Sequence, residues 1–110
     1  MDMIIDKIKK LLGISEEAVA DYKSLVQGGA QIIDVRTPVE FSAGHIPNSI
    51  NIPLNHLAKK ITRVGKDRQI ILCCRSGMRS ASARSMLLSM GYSHVHDGGS
   101  WSSLMKRITK

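Results

Sequence analysis

The sequence is poor in aromatic residues, holds only two cysteines and has no long apolar run. Aromatics make up 4% of its 110 residues: Tyr22, Phe41, Tyr92 and Trp101. None sits in a basic run, so the stacking platforms of a nucleic-acid module are missing. No apolar stretch approaches the ~20 residues of a membrane-spanning helix. The opening residues, Met1-Asp2-Met3-Ile4-Ile5-Asp6-Lys7, carry acids where a signal peptide carries Lys or Arg ahead of its apolar segment. The expectation is a cytoplasmic protein that binds neither nucleic acid nor membrane. Cys73 and Cys74 are neighbours, and a bridge between them would close almost no loop. Two thiols without nearby partners also make a poor zinc site. What remains is a buried thiol, a reactive thiol, or one of each.

What is present fits one domain. The apolar fraction is 43% and the charged fraction 23%, ordinary globular values that argue against disorder. The net charge is +7 and unevenly placed. Residues 1–40 hold seven acids and five bases, whereas residues 41–110 hold two acids and eleven bases. A half so basic attracts an acidic partner or a small anion.

Periodicity predicts strands alternating with helices. Residues 1–12 form an amphipathic helix with Met1, Ile4, Ile5, Ile8, Leu11 and Leu12 on one face, stopped by Gly13; it is set apart as an N-terminal extension to a domain over 13–110. Ser15 is expected to cap a second helix carrying Val19, Tyr22, Leu25 and Val26, ended by Gly28-Gly29. Residues 30–35 form a strand. Thr37, Pro38 and Glu40 form a capping box that starts a short helix. A short strand over 49–52 precedes a helix carrying Leu54, Leu57, Ala58 and Ile61. Residues 69–73 are apolar without alternation, as in a parallel strand buried on both faces. A loop, Arg75-Ser76-Gly77-Met78, leads into a helix from Arg79 to Met90. His94-Val95-His96 is a strand, Gly98-Gly99 a turn, and Ser100 caps a last helix. The order is that of an α/β domain with a mainly parallel sheet.

In open parallel sheets ligands bind beyond the carboxyl ends of the strands. Cys74 sits at such an end, ahead of a helix start whose unpaired N–H groups stabilise a thiolate or a bound anion. Gly77 permits a positive φ that turns several amides toward one centre, and Arg75 and Arg79 add positive charge. Elsewhere, blander readings prevail. Cys73 is a small buried hydrophobe, Arg36 pairs with Glu40 across the short helix, and His45 is a packed, hydrogen-bonded histidine. Arg84 is solvated, and Trp101 and the six methionines belong to the core. His94 and His96 share a strand face but lack a third metal ligand, so no metal or cofactor is expected.

The segment Cys74-Arg75-Ser76-Gly77-Met78-Arg79-Ser80 resembles the active-site loop of the single-domain rhodaneses, the thiosulfate sulfurtransferases. Asp34-Val35-Arg36-Thr37-Pro38-Val39-Glu40-Phe41, Gly44-His45-Ile46-Pro47 and Asn51-Ile52-Pro53 resemble the family's other hallmark segment, as do Gly91-Tyr92, Val95, Gly98-Gly99 and Trp101 downstream. The resemblance implies a rhodanese-like fold, a five-stranded mainly parallel sheet flanked by helices on both faces. It implies that Cys74 is the nucleophile, with Arg75, Ser76, Gly77, Met78 and Arg79 around the substrate. A sulfane sulfur would pass from thiosulfate or a similar anion, through a Cys74 persulfide, to cyanide or a thiol, a protein thiol among the candidates. Two alternatives stay open. Counted from Cys73, the loop reads Cys-x5-Arg, the spacing of a phosphatase or arsenate reductase. A sulfur-carrying or regulatory binding module would dock through the N-terminal helix and the basic half.

Overall fold

A computed structural model describes residues 21–109. The helix expected over 1–12, its stop at Gly13 and the Ser15 cap lie outside the described residues. The first described helix, α1 (Tyr22–Gln27), is capped by Asp21, whose carboxylate accepts from the Ser24 amide at 3.1 Å. β1 (Gln31–Asp34) follows, and the predicted capping box opens α2 (Pro38–Ala43). The Thr37 side chain accepts from the Glu40 amide, and the Glu40 carboxylate accepts from the Thr37 amide. β2 is only Ile50–Asn51. The helix expected next is broken into two 3-10 turns, Leu54–His56 and Ile61–Arg63, around a single α-turn, α3 (Leu57–Lys60). β3 (Ile70–Cys74), α4 (Met78–Ser89), β4 (Val95–Ser100) and α5 (Trp101–Thr109) complete the order.

The strands pair in parallel in the order β2-β1-β3-β4. Among the described residues the sheet thus has four strands where the resemblance implies five. β3 lies inside the sheet and all five of its residues are buried. Successive side chains point to opposite faces, and the two faces carry separate cores. Ile70, Leu72 and Cys74 join Ile33, Val35, Leu57, Ala83 and Leu87 under α3 and α4. Ile71 and Cys73 join Tyr22, Ile32, Ile46 and Leu104 under α1 and α5.

Two expectations fail at the end of the sheet. β4 runs straight through Gly98-Gly99, where a turn was expected, because a bulge there is accommodated within the ladder: Leu72 pairs with Asp97 and Cys74 with Ser100. A Cβ on Gly98 would lie 2.8 Å from the Leu72 carbonyl oxygen and 2.9 Å from Leu104 Cδ2. Only glycine lets the backbones approach so closely. The strand expected over 69–73 instead runs one residue further, with Cys74 as its last residue. The Ser100 cap on α5 stands as expected, its hydroxyl accepting from the Ser103 amide at 3.2 Å. Among the described residues no helix is long and apolar enough to cross a membrane.

Candidate active site

Cys74 ends β3 fully buried, with its sulfur turned toward the start of α4. Gly77, at φ +100°, caps that helix in the left-handed region, which a side chain would disfavour. The turn aims amides backward. Gly77 N–H donates to Cys74 Sγ at 2.9 Å and Ser80 N–H at 3.4 Å. Sγ also lies 3.5 Å from Ser80 Oγ, and Ser80 Oγ–H donates to the Gly77 carbonyl at 3.1 Å. Burial pushes the Cys74 thiol up, as it does any ionising group. Hydrogen bonds from the Ser80 hydroxyl and from the Ser80, Gly77 and Ser76 amides outweigh it, and the pKa falls below the ordinary thiol value.

Cys73 has the opposite fate. It faces the apolar core beneath α1 and α5, and burial, then the nearby Asp34 carboxylate, drive its thiol far up. Two adjacent cysteines thus differ in ionisation because strand pleating sends one into carbon and the other to a ring of amides.

The five residues expected around a substrate divide. The backbones of Ser76 and Gly77 face the sulfur. The side chains of Arg75 and Met78 stand in solvent, Met78 being 79% exposed, so it is an exception to the methionines expected in the core. Arg79 turns away to a bidentate ion pair with Glu40, at 2.7 and 2.9 Å. Arg79, then the Thr37 amide, hold the Glu40 carboxyl down at about 2.

The expected Arg36–Glu40 ion pair is therefore replaced. Arg36 is buried and pairs instead with buried Asp34 at 2.6 Å. Its remaining N–H groups donate to the carbonyls of Gly44, at 2.7 Å, and Glu40, at 3.3 Å, while the guanidinium lies 4.7 Å over the Trp101 ring. This knot ties the end of β1 to the loop after α2. Arg84 is not solvated as expected, since its Nε donates to the Val95 carbonyl at 3.0 Å. His45 is hydrogen-bonded as expected, Nδ1 to the Phe41 carbonyl at 2.8 Å, and stacks on the Phe41 ring. His96 Nε2 meets Gln69 Oε1 at 2.7 Å. No group of three or more His, Cys, Asp or Glu among the described residues could hold a metal ion.

Two contacts of the site were not assigned from the sequence: Ser80 on the Cys74 sulfur and Glu40 on Arg79. Ser80 carries a signal, a serine six positions after the cysteine in the first turn of the following helix. Glu40 carries none, because its capping role accounts for it locally. Beside this assembly lies a cavity of about 400 Å³ between the ends of β1 and β2 and helix α4. Val35, Pro53, Leu54 and Met86 form its wall, with Thr37, Asn55 and Arg79 also lining it.

Comparison with known proteins finds a matching family and several relatives. The model of the family described as "Rhodanese-like domain" matches residues 18–102. A sulfurtransferase of Allochromatium vinosum is 36% identical over 64 residues, 58% of this chain and 60% of that protein. Thiosulfate sulfurtransferase GlpE of Pseudomonas syringae is 34% identical over 79 residues, 70% of this chain and 74% of that protein. Among solved structures, a rhodanese with anions from E. coli superposes with a TM-score of 0.65 at 34% identity, covering 68% of this chain and 91% of its own.

Proposed function

This chain belongs to the rhodanese-like domain family, and we propose that it is a thiosulfate-type sulfurtransferase working through a persulfide on Cys74. The observation that carries the reading is the sulfur of Cys74 held by the Gly77 and Ser80 amides, with its pKa lowered despite burial. The thiolate attacks the outer sulfur of thiosulfate. The new Sγ–S bond forms as the old S–S bond breaks, and sulfite leaves with the electron pair. The persulfide anion inherits the charge that the amides stabilised, so one cradle serves both resting and loaded states. Cyanide or a thiolate then attacks the outer sulfur, and Sγ departs as thiolate, which closes a ping-pong cycle. The donor is a small anion, the acceptor is thiophilic, and a protein thiol fits the same chemistry.

The phosphatase-like count from Cys73 finds less support. That thiol is buried among apolar side chains with its pKa raised, and Arg79, the arginine of that motif, is engaged by Glu40. Counted from Cys74, four residues precede Arg79, a short loop that suits one sulfur atom better than a tetrahedral oxyanion.

The test is to incubate the protein with thiosulfate and weigh it intact. The expected result is a gain of one sulfur atom, reversed by cyanide or dithiothreitol and absent from Cys74→Ser. Turnover of an aryl phosphate without sulfur uptake would overturn the reading in favour of phosphoryl chemistry. Neither activity would leave a binding module.

A further inference from the structure

We propose that the cavity beside the Cys74 loop is the subsite of the sulfur acceptor, and that this acceptor is a small thiol with an apolar carbon chain. The inference rests on the persulfide reading above and adds a substrate class to it.

Position is the first ground. Val35 lies in the same core cluster as Cys74, and Leu54 and Met86 pack against that cluster. Arg79, on the cavity wall, directly precedes Ser80, whose amide reaches Sγ. The cavity therefore opens on the face of the sheet that holds Cys74. A persulfide S–S bond carries the outer sulfur ~2 Å beyond Sγ, where an acceptor held in the cavity would meet it.

Chemistry is the second ground. The volume of about 400 Å³ is that of a small-molecule site. Its wall of Val35, Pro53, Leu54 and Met86 is apolar, and a chain laid against it releases water from both surfaces. Among the described residues the one cation lining it, Arg79, already shares its charge with Glu40 through two short contacts, so this wall offers little to a charged, hydrophilic thiol. Donor and acceptor are thus recognised by different means. The anionic donor is met by loop amides at the sulfur, and the acceptor by apolar contact beside it. Cyanide has no chain and gains nothing from the wall.

In the acceptor step the thiol R–SH passes its proton to the outer sulfur of the persulfide anion, and the thiolate R–S⁻ attacks that sulfur. The R–S–SH bond forms, the Sγ–S bond breaks, and Cys74 leaves as thiolate with the electron pair. No further reagent is needed.

The experiment measures kcat/KM for 2-mercaptoethanol, 4-mercaptobutanol and 6-mercaptohexanol, and for cyanide, with thiosulfate as donor. The expected result is a rise of about two- to fourfold per added methylene. In Asn55→Trp, an exposed position on the cavity rim, the ratio of the 6-mercaptohexanol value to the cyanide value should fall by about tenfold or more. Met86→Phe should act in the same direction. A profile flat with chain length on a protein that thiosulfate does load would overturn the acceptor assignment alone. A slope that both substitutions leave intact would do the same. A protein that gains no sulfur from thiosulfate would overturn the sulfurtransferase reading, and the acceptor assignment with it. The unsubstituted series decides the matter even if a variant fails to fold.

Discussion

Replacing Ser80 by alanine isolates what one hydroxyl does for the Cys74 thiolate. Protonated, Cys74 donates to Ser80 Oγ at 3.5 Å while Ser80 donates to the Gly77 carbonyl at 3.1 Å. When the thiol ionises, the single hydroxyl proton turns to the sulfur, and those two neutral bonds give way to one charge-assisted bond. A neutral hydrogen bond contributes about 0.5–1.5 kcal/mol and one to a charged group about 1.5–3 kcal/mol. The S–H group is a weak donor, so the neutral side counts as about one bond, and the net preference of the hydroxyl for the thiolate is then about 1 kcal/mol, equivalent to ~0.7 pH unit. The Ser80 amide stays in Ser80→Ala, as does the Gly77 amide, so most of the cradle survives. Alanine suits both the helix and the buried position. The assay is the pH dependence of iodoacetamide alkylation in a Cys73→Ser background. The midpoint should rise by ~0.7 unit, and alkylation below both midpoints should slow about fivefold. An unchanged or lowered midpoint would show that the hydroxyl takes no part, and the amides alone would have to account for the lowered pKa.

The remaining expectations concern the cysteines and the framework around them. Cys74→Ser should abolish sulfur uptake from thiosulfate, while Cys73→Ser should keep most of it; the reverse pattern would hand the chemistry to the buried thiol. Asp34→Ala should cost about 3–5 kcal/mol in urea unfolding, since it strands Arg36, 4% exposed, without its carboxylate. A loss below about 1 kcal/mol would mean that the carbonyls of Gly44 and Glu40 suffice. Gly98→Ala should cost about 1–3 kcal/mol, because its methyl meets the Leu72 carbonyl at 2.8 Å, and an unshifted denaturation midpoint would contradict that contact. Glu40 has its pKa lowered from 4.5 to about 2, so its stabilising contribution is complete above 4.5 and fades as pH falls toward 2. Thermal unfolding across that window should show Glu40→Gln losing less stability with acid than the parent chain; parallel curves would mean that the Arg79 pair does not form in solution.

Much of this protein was legible in local signals. The Thr37–Glu40 capping box is written within four residues, and the structure builds it from those same groups. The unalternating run before Cys74 marks a strand inside a parallel sheet, since a strand covered on both faces has no polar side to show. Gly77 announces a left-handed turn that L side chains avoid, and with it the amides that converge on Cys74. What depends on burial or on distant segments was not legible. Arg36 has Glu40 at helical spacing, yet its partner is Asp34, because only folding removes both from water and makes an unpaired charge there costly. Glu40 is thereby released to Arg79, thirty-nine positions away, a choice no spacing rule encodes. Gly98-Gly99 reads as a turn by composition but pairs as a bulged strand, with the Leu72 carbonyl too close to Gly98 for any side chain and Gly99 at a positive φ. The sequence by itself determined the elements, their order and the loop that carries the thiol, through forces acting within a few residues. The tertiary structure decided which charges pair and which cysteine has its pKa lowered, because those outcomes depend on burial and on neighbours that only the closed sheet brings together.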